Sequence, residues 1–222
     1  MTTQSLVLHV SADIGDVSAE YILPEHCSCV IVLAHGAGAG MYHSFMVSLS
    51  NALALKGIAT LRFNFPFMEK KKPRPDSPAV AHQAIAAAVA KAQQLFPSLP
   101  LFVAGKSFGG RMSSQYLAEH PTTAVKGIIF YGFPLHPAGK PATDRAEHLQ
   151  LVKQPMLFLQ GTKDALATWE LIKPVCKSLK RATLVKIEGA DHSFKAGKTD
   201  TMTLLVAATE SWIQKKLKRL SP

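Results

Sequence analysis

Residues 101–111, LFVAGKSFGGR, constrain the fold of this chain more than any other stretch. Leu101, Phe102, Val103, Ala104 and Gly105 are apolar and small, as a buried strand requires. Met112, Tyr116 and Leu117 follow at helical spacing. Between them stands Gly105-Lys106-Ser107-Phe108-Gly109, a G-x-S-x-G. Strand, sharp turn with a serine at its tip, and helix form the context in which this pattern exposes a nucleophile. The glycines leave room for a turn that a Cβ would block, and the turn sets the Ser107 hydroxyl over a helix N-terminus. The helix dipole there favours developing negative charge. A capping serine is the plainer alternative for Ser107. A phosphate-binding loop is excluded, because the spacer of G-x-x-x-x-G-K-[ST] is missing.

The rest of the chain places this turn in a sheet. Residues 6–10 and 18–24 alternate as a first hairpin. Apolar runs at 29–34, 58–63, 101–105, 125–131, 156–160 and 183–187 then alternate with helical patterns. Helices are expected over 44–56, 78–96, 110–120, 168–180 and 199–217, with a short one at 144–152. Phe45, Leu49 and Leu53 should face inward from the first, and Leu204, Leu205, Ala208 and Trp212 from the last. Continuous apolar strands mark a sheet covered on both faces, and helical crossovers make it mostly parallel. The expected fold class is α/β: a mostly parallel twisted sheet of about eight strands with helices on both faces. One domain is expected to span residues 1–222.

In such a sheet the ligand site lies outside the carboxyl ends of the strands. A serine, an aspartate and a histidine all fall on strand-end loops, in the order Ser107, Asp164, His192. That is the order the elbow pattern predicts for a nucleophile, an orienting acid and a base. A serine hydroxyl needs a base to take its proton, and imidazole titrates near neutrality. The carboxylate would hold the imidazole tautomer and stabilise the imidazolium. An oxyanion would need two backbone donors, for which the N–H groups of Phe108 and Ala37 are the candidates. Asp191 precedes the base directly and cannot easily reach Nδ1 of its neighbour, so Asp164 is preferred. Nine histidines are present; His192 stands out by following the last strand. His35 reads more simply as a hydrogen-bonder shaping its own loop, and Glu188 and Asp200 as surface carboxylates. The expected pocket residues are His35, Gly36, Phe65, Phe67, Met68, Phe108, Phe133 and Leu135.

Charge admits other functions. With 25 Lys and Arg against 15 Asp and Glu, the formal net charge is +10. Nucleic acid, acidic membranes and anionic substrates all suit such a balance, and so does plain solubility. No recognition motif or aromatic-basic stripe supports nucleic-acid binding. No apolar run reaches membrane-spanning length, and the opening MTTQSLVLHV lacks a charged n-region and a long apolar core, so a cytoplasmic protein is expected. Three cysteines fit that compartment: C-x-C at Cys27 and Cys29 without a second pair is not zinc spacing, and an odd count is no disulfide framework. No metal or cofactor is expected. Lys70, Lys71, Lys72, Arg74, Lys163, Lys195 and Lys198 are placed on the face that carries Ser107, where they would favour an anionic acyl substrate or be solvated loop charge.

The motifs His35-Gly36-Ala37-Gly38, Gly105-Lys106-Ser107-Phe108-Gly109-Gly110, Gly161-Thr162-Lys163-Asp164 and Gly189-Ala190-Asp191-His192-Ser193-Phe194 together resemble the α/β-hydrolase superfamily over residues 29–217. Within it the chain is similar to the small, lidless dienelactone-hydrolase-like members. GKSFGGR is close to the branch containing the testis-expressed protein and a chromatin-complex subunit of the same fold. Dienelactone hydrolases carry a cysteine nucleophile where Ser107 stands here. Many relatives insert a lid between the sixth and seventh strands of their sheets, whereas the corresponding 133–154 holds a loop and one short helix. The resemblance implies a serine hydrolase acting on a small-molecule ester, thioester or related acyl compound in an open, lidless cleft. A non-catalytic binding or regulatory module on the same fold is the alternative. The oligomeric state is left open.

Overall fold

The computed structural model describes residues 1–219; the last three residues of the expected 1–222 domain lie outside those described. Strands β1 (Thr2–Ser11) and β2 (Gly15–Leu23) form the first hairpin, longer at the outset than its alternation predicted. Six further strands follow: β3 (Cys29–Ala34), β4 (Ile58–Phe63), β5 (Leu101–Lys106), β6 (Val125–Tyr131), β7 (Met156–Gly161) and β8 (Ala182–Ile187). They build one sheet in the order β1-β2-β4-β3-β5-β6-β7-β8. The pairs β1/β2 and β2/β4 are antiparallel, and every pair from β4 through β3 to β8 is parallel.

Burial explains why the central strands are continuous apolar runs. All six residues of β3, β4 and β7 are buried. Successive side chains point to opposite faces. Val30, Val32 and Ala34 therefore join Phe63, Val103, Phe130 and Phe158 in one core, beneath α3 (Pro78–Leu95), α4 (Phe108–Glu119) and α5 (Trp169–Ser178). Ile31 and Leu33 join Phe102, Ile129, Tyr131 and Leu157 in the other, beneath α1 (Ser44–Ala54) and α6 (Thr201–Leu217). Between β3 and β5 the strand order reverses direction, which opens a crevice at their carboxyl ends.

Several details differ from expectation. Residues 66–69 form an extra short helix, α2 (Pro66–Glu69), started by a proline at its first position. Helix α1 ends two residues earlier, at Ala54, with Gly57 in the left-handed region (φ 66°) turning the chain into β4. The short helix before β7 is a 3₁₀ segment, Asp144–Leu151. Leu204 faces solvent, 45% exposed, and the buried stripe of α6 is Leu205, Val206, Thr209, Trp212 and Ile213. Counted from Leu205, that stripe takes positions i, i+1, i+4, i+7 and i+8, and Leu204 falls outside it. Between β6 and β7 the chain holds the 3₁₀ segment and loops, with no inserted domain.

Candidate active site

Ser107 sits on the turn between β5 and α4 with φ 50° and ψ −114°, a conformation non-glycine residues rarely adopt. The glycines around it permit the turn. A Cβ on Gly105 would stand 2.2 Å from the backbone nitrogen of Gly110, and one on Gly109 would stand 2.5 Å from the carbonyl oxygen of His35. Although Ser107 occupies the N-cap position of α4, its side chain makes no capping bond. The hydroxyl instead lies 2.8 Å from Nε2 of His192.

His192 is carried by the loop between β8 and α6, and its Nδ1 lies 2.7 Å from Oδ2 of Asp164. Asp164 follows β7 and is 4% exposed. Its carboxylate is tied down on both sides: Nε2 of Gln160 donates to Oδ2 at 2.6 Å, and the backbone N–H of Leu166 donates to Oδ1 at 2.8 Å. Gln160 Oε1 in turn accepts from the N–H of Phe133 at 2.9 Å, which ties the β6 loop to the same group. With Asp164 as acceptor, Nδ1 of His192 carries the proton and Nε2 is left to accept from the serine hydroxyl. Asp191 points elsewhere. Its Oδ1 accepts from the N–H groups of Ser193 and Lys195 at 2.8 and 2.9 Å, closing the turn that presents the histidine.

The cleft beside Ser107 has a volume of about 380 Å³ and is lined by the loop residues Gly36, Ala37, Gly38 and Ala39. His43, Phe45 and Met46 from the start of α1, together with Lys106, Leu166 and Ser193, complete its walls. Phe108 opens α4, where the first backbone N–H groups of a helix have no intrahelical partner. The N–H groups of Ala37, on the loop after β3, and of Phe108, at the start of α4, thus lie on the two segments that flank the serine.

The expected walls differ. Gly36 lines the cleft, but His35, Phe65, Phe67, Phe133 and Leu135 are all at most 1% exposed and do not line it. Phe65 and Phe67 pack on His35, and Phe108 packs on both of them, with ring centroids between 5.0 and 6.2 Å apart. Phe133 packs on Phe130 and Phe158. Met68 is half-buried beside Gly40 and does not line the cleft. Phe45 is the reverse case, expected in the core and found on the cleft wall. The signal available was the glycine-rich loop itself, which runs straight into α1 and so sets that helix's first turn at its rim.

His35 is a hydrogen-bonder that shapes its own loop. Its Nε2 accepts from the N–H of Phe65 at 2.9 Å and its Nδ1 donates to the carbonyl of Gly36 at 2.7 Å. Burial pushes its pKa down to about 4, so the ring is neutral and shapes the loop that carries Ala37. The basic loop also lies apart: none of Lys70, Lys71, Lys72, Arg74, Lys163, Lys195 or Lys198 lines the cleft. Lys70 Nζ donates to the carbonyl of Ile14 in the edge hairpin. The lysine on the cleft wall is Lys106. Cys29 and Cys176 are buried, which raises both thiols to about 12.

Fold and site together define a class, and the family comparison agrees: residues 27–216 match the α/β hydrolase domain model, and the chain belongs to that family. Solved structures similar to it include a dienelactone hydrolase from Anabaena variabilis, 19% identical, covering 97% of this chain and 99% of that one with a TM-score of 0.77. An α/β serine hydrolase homologue from Coxiella burnetii is 23% identical over 93% of this chain and 97% of its own, with a TM-score of 0.76. A Xanthomonas campestris protein described as an α/β serine hydrolase without a lid is 21% identical over 96% and 95%, with a TM-score of 0.73. The likeness covers nearly the whole of each chain, and this chain is a small, lidless α/β hydrolase in its fold.

Proposed function

We propose that the protein is a serine hydrolase that cleaves a carboxylic ester, thioester or related acyl bond through Ser107, His192 and Asp164. The observation that carries this reading is the unbroken hydrogen-bonded chain from Ser107 Oγ through His192 to Asp164, with links of 2.8 and 2.7 Å. In the proposed reaction Ser107 Oγ attacks the acyl carbon while its proton passes to Nε2 of His192. Asp164 stabilises the imidazolium that results. The N–H groups of Ala37 and Phe108 receive the oxyanion. The imidazolium then protonates the leaving alcohol or thiol, and an acyl group remains on Ser107. Water, deprotonated by the same imidazole, releases the acid and restores the serine.

The size of the cleft supports a substrate class. About 380 Å³ walled by Phe45, Met46 and Leu166 suits a short or flexible acyl group better than a long buried chain. Three unpaired thiols accord with a reducing compartment, and we place the activity in the cytoplasm on that ground. Among the described residues no helix is long and apolar enough to cross a membrane.

Hydrolysis of p-nitrophenyl esters of increasing acyl length tests the reading. Turnover should be highest for the short esters, decline with length, and disappear in Ser107→Ala. Absence of turnover across the series, with Ser107 unreactive, would favour the non-catalytic module instead.

A further inference from the structure

Lys106 ends β5 immediately before Ser107 and lines the cleft, with its side chain half-buried. Nζ donates to the backbone carbonyl of His192 at 2.5 Å, across 86 positions of chain. It lies over the rings of Phe194 and Phe45, 5.2 and 6.0 Å from their centroids. A Cβ on Gly132 would stand 3.2 Å from Lys106 Nζ and 3.5 Å from Nδ1 of His192, so ammonium and imidazole share one small space. Among the described residues no carboxylate lies within ion-pair distance of Nζ. A buried charge without a close counter-charge is expensive, and an apolar side chain would fill this position at lower cost. What the ammonium adds is a grip on the residue that carries the base.

We propose that Lys106 is a positioning residue, whose ammonium anchors the main chain of His192 and thereby holds the imidazole over Ser107. This rests on the reading of Ser107 and His192 as nucleophile and base. Aromatic rings on two sides restrict Nζ to that direction, and the attraction of Asp164 and Asp191 keeps it charged.

A dependence on pH follows. Burial lowers the Lys106 pKa to about 8, with Asp164 and Asp191 opposing the shift. The groups facing it are Asp164 on the loop after β7, and Asp191 and His192 on the loop after β8. His43, ahead of α1, shares the cleft. Phe45 and Phe194 are uncharged, and burial raises the phenol of Tyr131 so that it stays protonated. Deprotonation replaces a charge-assisted hydrogen bond with one roughly half as strong. The anchor is therefore complete below about pH 8 and weakened above it.

The test is the second-order rate of Ser107 labelling by a fluorophosphonate, from about pH 6 to about pH 10, for wild type, Lys106→Met and Lys106→Arg. Melting curves confirm that each variant is folded. Wild type should lose rate several-fold above about pH 8. Lys106→Met should react about 10- to 100-fold more slowly throughout, with no alkaline decline. Lys106→Arg should recover most of the rate and hold it to the alkaline end, because guanidinium stays charged. A flat wild-type profile, or a folded Lys106→Met that labels as fast as wild type, overturns the proposal while leaving the hydrolase reading intact. A wild type that never labels overturns both. If Lys106→Met does not fold, the wild-type profile alone decides.

Discussion

His192 Nε2 lies 2.8 Å from Ser107 Oγ although 85 positions separate the two residues. Neither side chain is long enough to search for the other, so backbone geometry at strand ends brings them together. On one side the strained turn at Ser107 lifts the hydroxyl out of the sheet. On the other, a turn closed by Asp191 presents the ring. The two aspartates beside the histidine thus do different work, one holding its proton and one its backbone.

That division predicts unequal effects of two similar substitutions. Asp164→Asn should lower kcat by about 10⁴, because the amide disfavours the tautomer the base requires. Asp191→Asn keeps an oxygen to accept from Ser193 and Lys195 and should lower kcat by less than about tenfold. Steady-state ester hydrolysis by both variants checks the order, and the reverse ranking would reassign the acid.

Gln160 is the support that holds Asp164, and its amide bridges that carboxylate to the N–H of Phe133. Gln160→Leu leaves the buried N–H of Phe133 unpaired and removes one of the donors to Asp164, which keeps Leu166 and His192, at a cost of about 1–3 kcal/mol. Urea unfolding should show that loss, with activity reduced about tenfold or more. A variant as stable as wild type would show that the bridge is dispensable.

The turn predicts a steric threshold at Gly109. An alanine Cβ there would press on the carbonyl oxygens of Ala34 and His35, at 2.6 and 2.5 Å. Gly109→Ala should therefore cost at least about 1–3 kcal/mol, the usual range for overpacking, and displace the loop bearing Ala37. Lower melting temperature together with loss of labelling is the expected result; wild-type values for both would contradict it.

His35 predicts a loss of stability in acid. Its folded-state pKa is lowered from 6.5 to about 4 by burial, so the native state holds the neutral ring. The contribution is complete above about pH 6.5 and is lost as pH falls toward 4, amounting to about 3 kcal/mol. His148, lowered to about 4 chiefly by burial, acts in the same window. Urea midpoints across this range should fall steeply in wild type and less in His35→Gln.

Much of this fold was legible because the relevant signals are local. The apolar runs from 29 onward become β3 to β8, and the order of Ser107, Asp164 and His192 follows from which loops leave the sheet at its carboxyl edge. The pocket walls were not legible. Apolar residues such as Phe65, Phe67 and Phe133 can fill a core or line a cleft, and only packing distinguishes the two. Charge was ambiguous for a related reason. The loop at 70–74 follows α2 at the end of β4, one strand beyond β3, while the lysine on the cleft wall is Lys106, a single residue inside the elbow.

The central claim is that Ser107 is a nucleophile activated by His192, and intact-mass analysis after incubation with a fluorophosphonate probe tests it most directly. The predicted result is stoichiometric addition mapped to Ser107, absent in Ser107→Ala and strongly slowed in His192→Ala. Wild-type protein that stays unmodified after prolonged incubation, or that is modified equally fast without His192, would contradict it.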